Sequence, residues 1–277
     1  MKKIVILLSL FSFLCSFRPQ ELTWVAIGDS FTYLNDHTDE TGNRVTKGYL
    51  TQTVENFPGM HYINKGYNGW TSGNIAERIN DLGLVKADLY TILLGTNDWW
   101  QGRNLGTLAD YKNNQGNNSV YGSFRIIINK IRSLNPRAKI VLITPMQRTD
   151  FVYIKDSHNN SYSSYKPKNG RNLEAFANAI DSIGELENIR VIDLYHNNKL
   201  KIEKLMNFKR VRDPQSGLYK EYKYPQSIGI PFDPDKDEYP YPAKAINLAY
   251  DGLHPSDKGN QIIAKCISKV FKDLLGR

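Results

Sequence analysis

Short apolar runs alternate along this chain with longer stretches whose apolar positions recur every three or four residues. Leu22 to Ile27 is an apolar run that ends at Gly28-Asp29-Ser30, and it predicts a buried strand. His61 to Asn64 predicts a weaker second strand, and Leu89 to Leu94, ending at Gly95, a strong third. Lys139 to Ile143, stopped by Pro145, predicts a fourth, and Arg190 to Leu194 a fifth. Helical spacing covers Lys47 to Phe57, Gly73 to Leu82, Tyr121 to Leu134, Arg171 to Glu187 and Ser256 to Leu275. Ser256 stands where an N-cap belongs. Near-continuous apolar strands alternating with helices predict a parallel sheet covered on both faces. Two segments break the rhythm. Arg148 to Gly170 is polar and rich in Ser, Asn and Tyr, and Phe208 to Asn247 is rich in Pro, Tyr and charge. Loops of this length inside a compact domain are functional or poorly ordered.

The first twenty residues have a different pattern. Met1-Lys2-Lys3 is basic, Ile4 to Phe17 is almost wholly apolar, and Arg18-Pro19-Gln20 ends the run. Both flanks fit a secretory signal peptide over residues 1–20, and the run is short for a membrane span. The expected location is therefore secreted or periplasmic, with residues 21–277 as a single domain and no spanning segment in the mature chain. Cys15 raises the alternative of a lipid anchor, against which Phe13 and Leu14 stand as bulky residues where small ones are needed. The formal charge of +8 falls to +6 once Lys2 and Lys3 are removed. The remaining cations form no dense cluster or helix stripe, which argues against a nucleic-acid partner. Of the two cysteines only Cys266 lies outside the leader, so no intrachain disulfide is available. It shares a helical face with Ile262, Ile263, Val270 and Phe271 and reads as a core residue.

Polar clusters follow the predicted strands, where open parallel sheets bind ligands. They are Gly28-Asp29-Ser30, Asn64 to Gly69 and Gly95-Thr96-Asn97-Asp98, joined by Asp251-Gly252-Leu253-His254 ahead of the last helix. A strand order of 2-1-3-4-5 would bring Ser30, Gly69 and Asn97 to one rim. Ester cleavage by a serine needs a hydroxyl with a base beside it, a carboxylate or carbonyl to orient the base, and donors for the oxyanion. Ser30 offers the hydroxyl and its own N–H. Gly69 offers a second N–H, and Asn97 a side-chain amide. His254 offers the base, and Asp251 the carboxylate three residues before it. Asp29 and Asp98 read as organisers of their turns, and His37, His61, His158 and His196 as structural or surface residues. No G-x-G-x-x-G or Walker pattern follows the first strand, which argues against a phosphate or dinucleotide binder.

Taken in order, these four blocks resemble those of the SGNH hydrolase superfamily, also called GDSL-like lipases and esterases. The resemblance runs from about Thr23 to the C-terminus and covers the Phe208–Asn247 insertion poorly. It implies an α/β fold, a three-layer α/β/α flavodoxin-like sandwich around a central, mostly parallel five-stranded sheet. It also implies ester hydrolysis through an acyl-enzyme, with no metal and no cofactor. Trp70, Trp99 and Trp100 stand beside the oxyanion candidates and are expected to stack on sugar rings or wall an acyl pocket. The tyrosine-rich insertion just before Asp251 could form a wall or lid, and the sequence leaves open whether it covers the site. Secreted members of the superfamily are often carbohydrate O-acetyl esterases, which fits these polar, aromatic loops and makes a glycan or small-molecule ester the expected partner. A lipase, lysophospholipase or thioesterase of the same fold is the alternative. A non-catalytic glycan-binding protein would be expected to have lost one of the reacting residues, and none is lost here.

Overall fold

The structure is a computed structural model that describes residues 21–276. The expected leader, with Cys15, lies outside the described residues. In chain order the elements are β1 (Leu22–Gly28), α1 (Ser30–Tyr33), α2 (Tyr49–Val54), β2 (Met60–Gly66), α3 (Ser72–Glu77), β3 (Leu89–Leu93), α4 (Thr96–Trp100) and α5 (Leu108–Lys112). They continue with α6 (Val120–Leu134), β4 (Lys139–Ile143), β5 (Phe151–Tyr153), β6 (Asp156–Ser161), α7 (Leu173–Glu187), β7 (Arg190–Ile192), β8 (Lys209–Arg212), β9 (Tyr219–Tyr222) and α8 (Asp257–Leu275).

Five strands form one sheet in the order β2-β1-β3-β4-β7, and every pairing is parallel. This is the order on which convergence of the first three strand ends depends. Side chains alternate between its two faces, as strand geometry requires. Trp24, Ala26, Leu93, Val141 and Ile143 pack with residues of α2 and α8 such as Tyr49, Ile263, Ile267 and Phe271. Val25, Ile27, Tyr90, Ile92 and Leu142 pack with Ile75, Phe124, Ile128, Phe176 and Ile180 of α3, α6 and α7. The result is three layers, with two apolar cores separated by the sheet.

Several boundaries differ from the sequence expectation for local reasons. The helix expected over Lys47 to Phe57 is confined to Tyr49–Val54, with Gly48 as its N-cap. The helix expected to Leu82 ends at Glu77. The last sheet strand stops at Ile192, because the Asp193 side chain accepts from Thr144 Oγ1 at 3.0 Å and His196 N at 3.1 Å, turning the chain. Ser256 does cap α8, accepting from Gly259 N. Cys266 is half-buried against that core and 3.6 Å from Asn197 Nδ2.

The two long segments are ordered as hairpins. β5 pairs antiparallel with β6, and β8 with β9. The second hairpin and its following loop buttress the first. Tyr239 Oη donates to Val152 O at 2.9 Å, Tyr241 Oη donates to Asp150 O, and Lys209 Nζ meets Asp150 Oδ2 at 2.7 Å.

Candidate active site

The carboxyl ends of β1, β2 and β3 open into a cleft of about 420 Å³. Ser30, Gly69, Asn97 and His254 all line it. Ser30 follows β1 in a sharp turn whose preceding residue, Asp29, is buried and accepts from Phe31 N at 3.1 Å. Ser30 Oγ lies 2.9 Å from His254 Nε2. On the other side of the ring, His254 Nδ1 lies 2.7 Å from Asp251 Oδ2. A carboxylate accepts only, so Nδ1 carries the proton and Nε2 is left to accept from the Ser30 hydroxyl.

The Asp251–His254 turn is held by its own side chain and by a glycine. Asp251 Oδ1 accepts from Leu253 N at 3.0 Å and His254 N at 2.8 Å. Gly252 has φ +93°, and a Cβ there would sit 1.9 Å from Asp150 O. Only glycine permits both this backbone and that approach. Asp251 is fully buried, and the His254 ring is enclosed by Phe31, Phe151 and Tyr250 at centroid distances of 5.8, 5.5 and 5.8 Å. The imidazole is thus fixed by packing and by two polar contacts.

Donors converge on the same rim. Gly69 has φ +72°, and a Cβ there would meet nothing within 4 Å. Asn97 Nδ2 donates one proton to Trp70 O at 3.0 Å, which orients the amide and leaves its second N–H free. Asp98 steadies this loop, accepting from Ser72 N and Ser72 Oγ and lying 3.5 Å from Arg103 Nε. Burial pushes the Asp98 carboxyl above the usual range. Asp29 and Asp98 therefore organise turns, as their sequence context suggests.

Burial raises the Asp29 pKa to about 7, opposed by its bond to Phe31 N. The folded state then holds a proton that the unfolded chain releases near the ordinary carboxylate value. This costs stability that grows from about pH 4 to pH 7 and then levels off. Asp29→Asn keeps the acceptor and removes the titration. Its melting temperature is expected to exceed the wild type's by more at pH 8 than at pH 5, in thermal melts across that range. A constant difference would remove this account of Asp29.

Not every expected residue reaches the cleft. Trp100 lines it. Trp99 is a correction: it is fully buried, its Nε1 donating to Arg171 O at 3.0 Å, because the helical turn of α4 aims it into the core. Trp70 is a second correction. It is half-buried outside the cleft lining, stacked on Tyr67 at 4.3 Å with Arg78 over its ring. The question the sequence left open for the 208–247 insertion is answered by the lining, which contains none of its residues. The wall is the β5–β6 hairpin instead, through Phe151, Tyr153, Asn159, Asn160 and Ser161, joined by Arg148. The polarity of the Arg148–Gly170 segment marked it as unusual, but no spacing rule placed it over the strand ends. His37, His61, His158 and His196 pair with Tyr33, Thr23, Asp235 and Asp193 respectively, and none lines the cleft.

The GDSL-like lipase/acylhydrolase family matches residues 26–262, most of the chain. The chain belongs to this family. A possible lipase from Chitinophaga pinensis has a solved structure 62% identical in sequence to this GDSL-like hydrolase. The match covers 92% of this chain and 99% of that one, with a TM-score of 0.91. Two more distant structures share the fold alone. A Lactobacillus plantarum protein is 17% identical over 92% of this chain and 98% of its own, with a TM-score of 0.61. A catalytic mutant of an acetylxylan esterase from Geobacillus stearothermophilus is 18% identical over 91% and 94%, with a TM-score of 0.50. No curated protein matches this GDSL-like hydrolase. Among its described residues no helix is long and apolar enough to cross a membrane, and no cluster of His, Cys, Asp or Glu is suited to a metal ion.

Proposed function

We propose that this protein is a secreted serine esterase that removes acetyl groups from carbohydrate. The observation that carries the reading is the unbroken hydrogen-bonded line from Ser30 Oγ through His254 to buried Asp251. A hydroxyl is a weak nucleophile at its ordinary pKa and becomes effective when a held base takes its proton during attack. His254 Nε2 is that base. As the Ser30 oxygen bonds to the ester carbonyl, the proton moves to Nε2, and Asp251 stabilises the imidazolium through Nδ1. The carbonyl oxygen becomes an oxyanion within reach of Ser30 N–H, Gly69 N–H and the second Asn97 Nδ2–H. The imidazolium then protonates the departing alcohol. Water, deprotonated by His254, releases acetate from Ser30 and closes the cycle.

Export rests on the apolar run and basic start of residues 1–20. The choice of substrate rests on the lining of the cleft. Asn68, Gln101, Asn159 and Asn160 present amides suited to sugar hydroxyls, and Trp100 offers an aromatic surface. An acyl chain would want an apolar channel, whereas these amides would lose hydrogen bonds to water beside it. With the purified mature protein, acetylated sugars are expected to turn over much faster than esters of long-chain acids. Faster cleavage of the long-chain esters would favour a lipase.

Asn97→Ala tests the oxyanion assignment. Loss of one such donor is expected to lower kcat about a hundred- to a thousandfold. KM should change little, because the donor acts on charge that develops only after binding. Steady-state kinetics on an acetyl ester give both constants, and a change confined to KM would remove Asn97 from this role.

A further inference from the structure

The hydrolytic cycle leaves two charged groups of the cleft without a task, Glu40 and Arg148. Glu40 already accepts from Tyr33 Oη at 2.8 Å and from Asn68 Nδ2 at 3.4 Å, which leaves Arg148 as the charge without a matched partner. Arg148 lines the cleft although it is only 2% exposed. Its Nη2 donates to Ser161 Oγ, and its Nε is buried with no acceptor. Among the described residues it forms no ion pair. The nearest carboxylates are already committed. Asp150 accepts from Lys209 Nζ, Ser163 N and Tyr165 Oη, and Asp251 serves His254 and two backbone amides.

A buried cation without a counterion is costly. The aromatic rings of Trp99, Trp100 and Phe151, with centroids 5.6, 5.4 and 5.9 Å from the guanidinium carbon, offset part of that cost. Burial brings the guanidinium pKa down to about 10, so it remains a cation at neutral pH. Two further cations flank the same edge. Lys168 Nζ lies 4.4 Å from the Trp100 ring centroid, and Lys166 Nζ 4.9 Å from that of Tyr162, which packs against Trp100. Neither has an ion-pair partner among the described residues.

We propose that Arg148 receives an anionic group of the ester substrate, a carboxylate, so that the cleft selects acetylated acidic sugars such as uronic acids. Lys168 and Lys166 extend the attraction along an acidic glycan. A planar guanidinium with unused N–H groups matches a carboxylate closely. The inference rests on the hydrolytic reading given above and narrows its substrate.

The test compares acetate release from an acetylated methyl glucuronoside, the matching methyl glucoside and that glucoside's 6-sulfate, with 4-nitrophenyl acetate as an uncharged reference. The wild type is expected to prefer the glucuronoside to the glucoside by about tenfold in kcat/KM, mainly through KM, as loss of a charge-assisted hydrogen bond predicts. Arg148→Met should bring that ratio close to one, and Arg148→Lys should restore part of it. If Arg148→Met does not fold, Lys168→Ala should still lower the ratio, and added salt should lower it in the wild type. Equal turnover of the two sugars by the wild type overturns the proposal. So does a preference that survives in Arg148→Met, which would make the guanidinium a clamp for the two tryptophans. A preference for the sulfate over the uronate overturns the carboxylate assignment. Failure to cleave any ester, 4-nitrophenyl acetate included, sinks the hydrolytic reading itself, whereas cleavage without charge preference sinks this inference alone.

Discussion

Ser30→Ala is expected to lower kcat for acetyl-ester hydrolysis by about five to six orders of magnitude while leaving the melting temperature nearly unchanged. The size of the loss follows from the role. Without the hydroxyl no acyl-enzyme forms, and only binding and oxyanion stabilisation remain. The stability expectation follows from the surroundings. Ser30 is half-buried at the cleft, and among the described residues its hydroxyl bonds only to His254 Nε2. Removing one exchangeable hydrogen bond at a solvent-reachable site costs about 1 kcal/mol or less. Initial rates on 4-nitrophenyl acetate and a thermal melt measure the two quantities together. Wild-type turnover by the alanine variant would end the nucleophile assignment.

His254→Ala should abolish turnover to a similar extent, yet it should also destabilise the fold. The imidazole is 7% exposed and fills the space between Phe31, Phe151 and Tyr250. Its removal leaves a void. It also leaves Asp251 Oδ2, in a fully buried carboxylate, without its partner. Leaving a buried acceptor without its donor costs about 1–3 kcal/mol, and more when the acceptor is charged. Chemical denaturation of the two single variants should therefore separate them clearly, although their rates are alike. The Ser30→Ala/His254→Ala double variant should be no slower than either single one, since the groups act as a unit. A double variant slower by the product of the two losses would mean that they act independently, contrary to the geometry.

Three of the proposed site residues could be found in the sequence because each follows an apolar run. Ser30 follows β1, Gly69 follows β2 and Asn97 follows β3, so the strand pattern alone placed them at one edge of a sheet. Asp251 and His254 were legible as a pair because a three-residue spacing lets one turn join them. The aromatic residues were harder. Trp99 and Trp100 are adjacent in sequence, but on a helical turn adjacent side chains point in directions about 100° apart. One enters the core and the other reaches the cleft. The two insertions were visible as breaks in rhythm, but nothing in the sequence said which of them reaches the cleft. The 151–161 hairpin lines the cleft, while the tyrosines of the 208–247 segment stand behind it and bond to its backbone.

What the order of residues decided was local: which runs become strands, where each ends, which hydroxyl and amide stand at those ends, and which carboxylate shares a turn with the imidazole. Backbone sterics and the burial of apolar side chains act over a few neighbouring positions, so that information can be read along the chain. The folded arrangement decided the rest. It set the 2.9 Å approach of His254 to Ser30 across 224 positions of sequence, the choice of hairpin that walls the cleft, and the lack of an ion-pair partner for Arg148 among the described residues. These depend on contacts between segments far apart in the chain, where packing and the partners already taken by Asp150 and Asp251 determine which groups remain free.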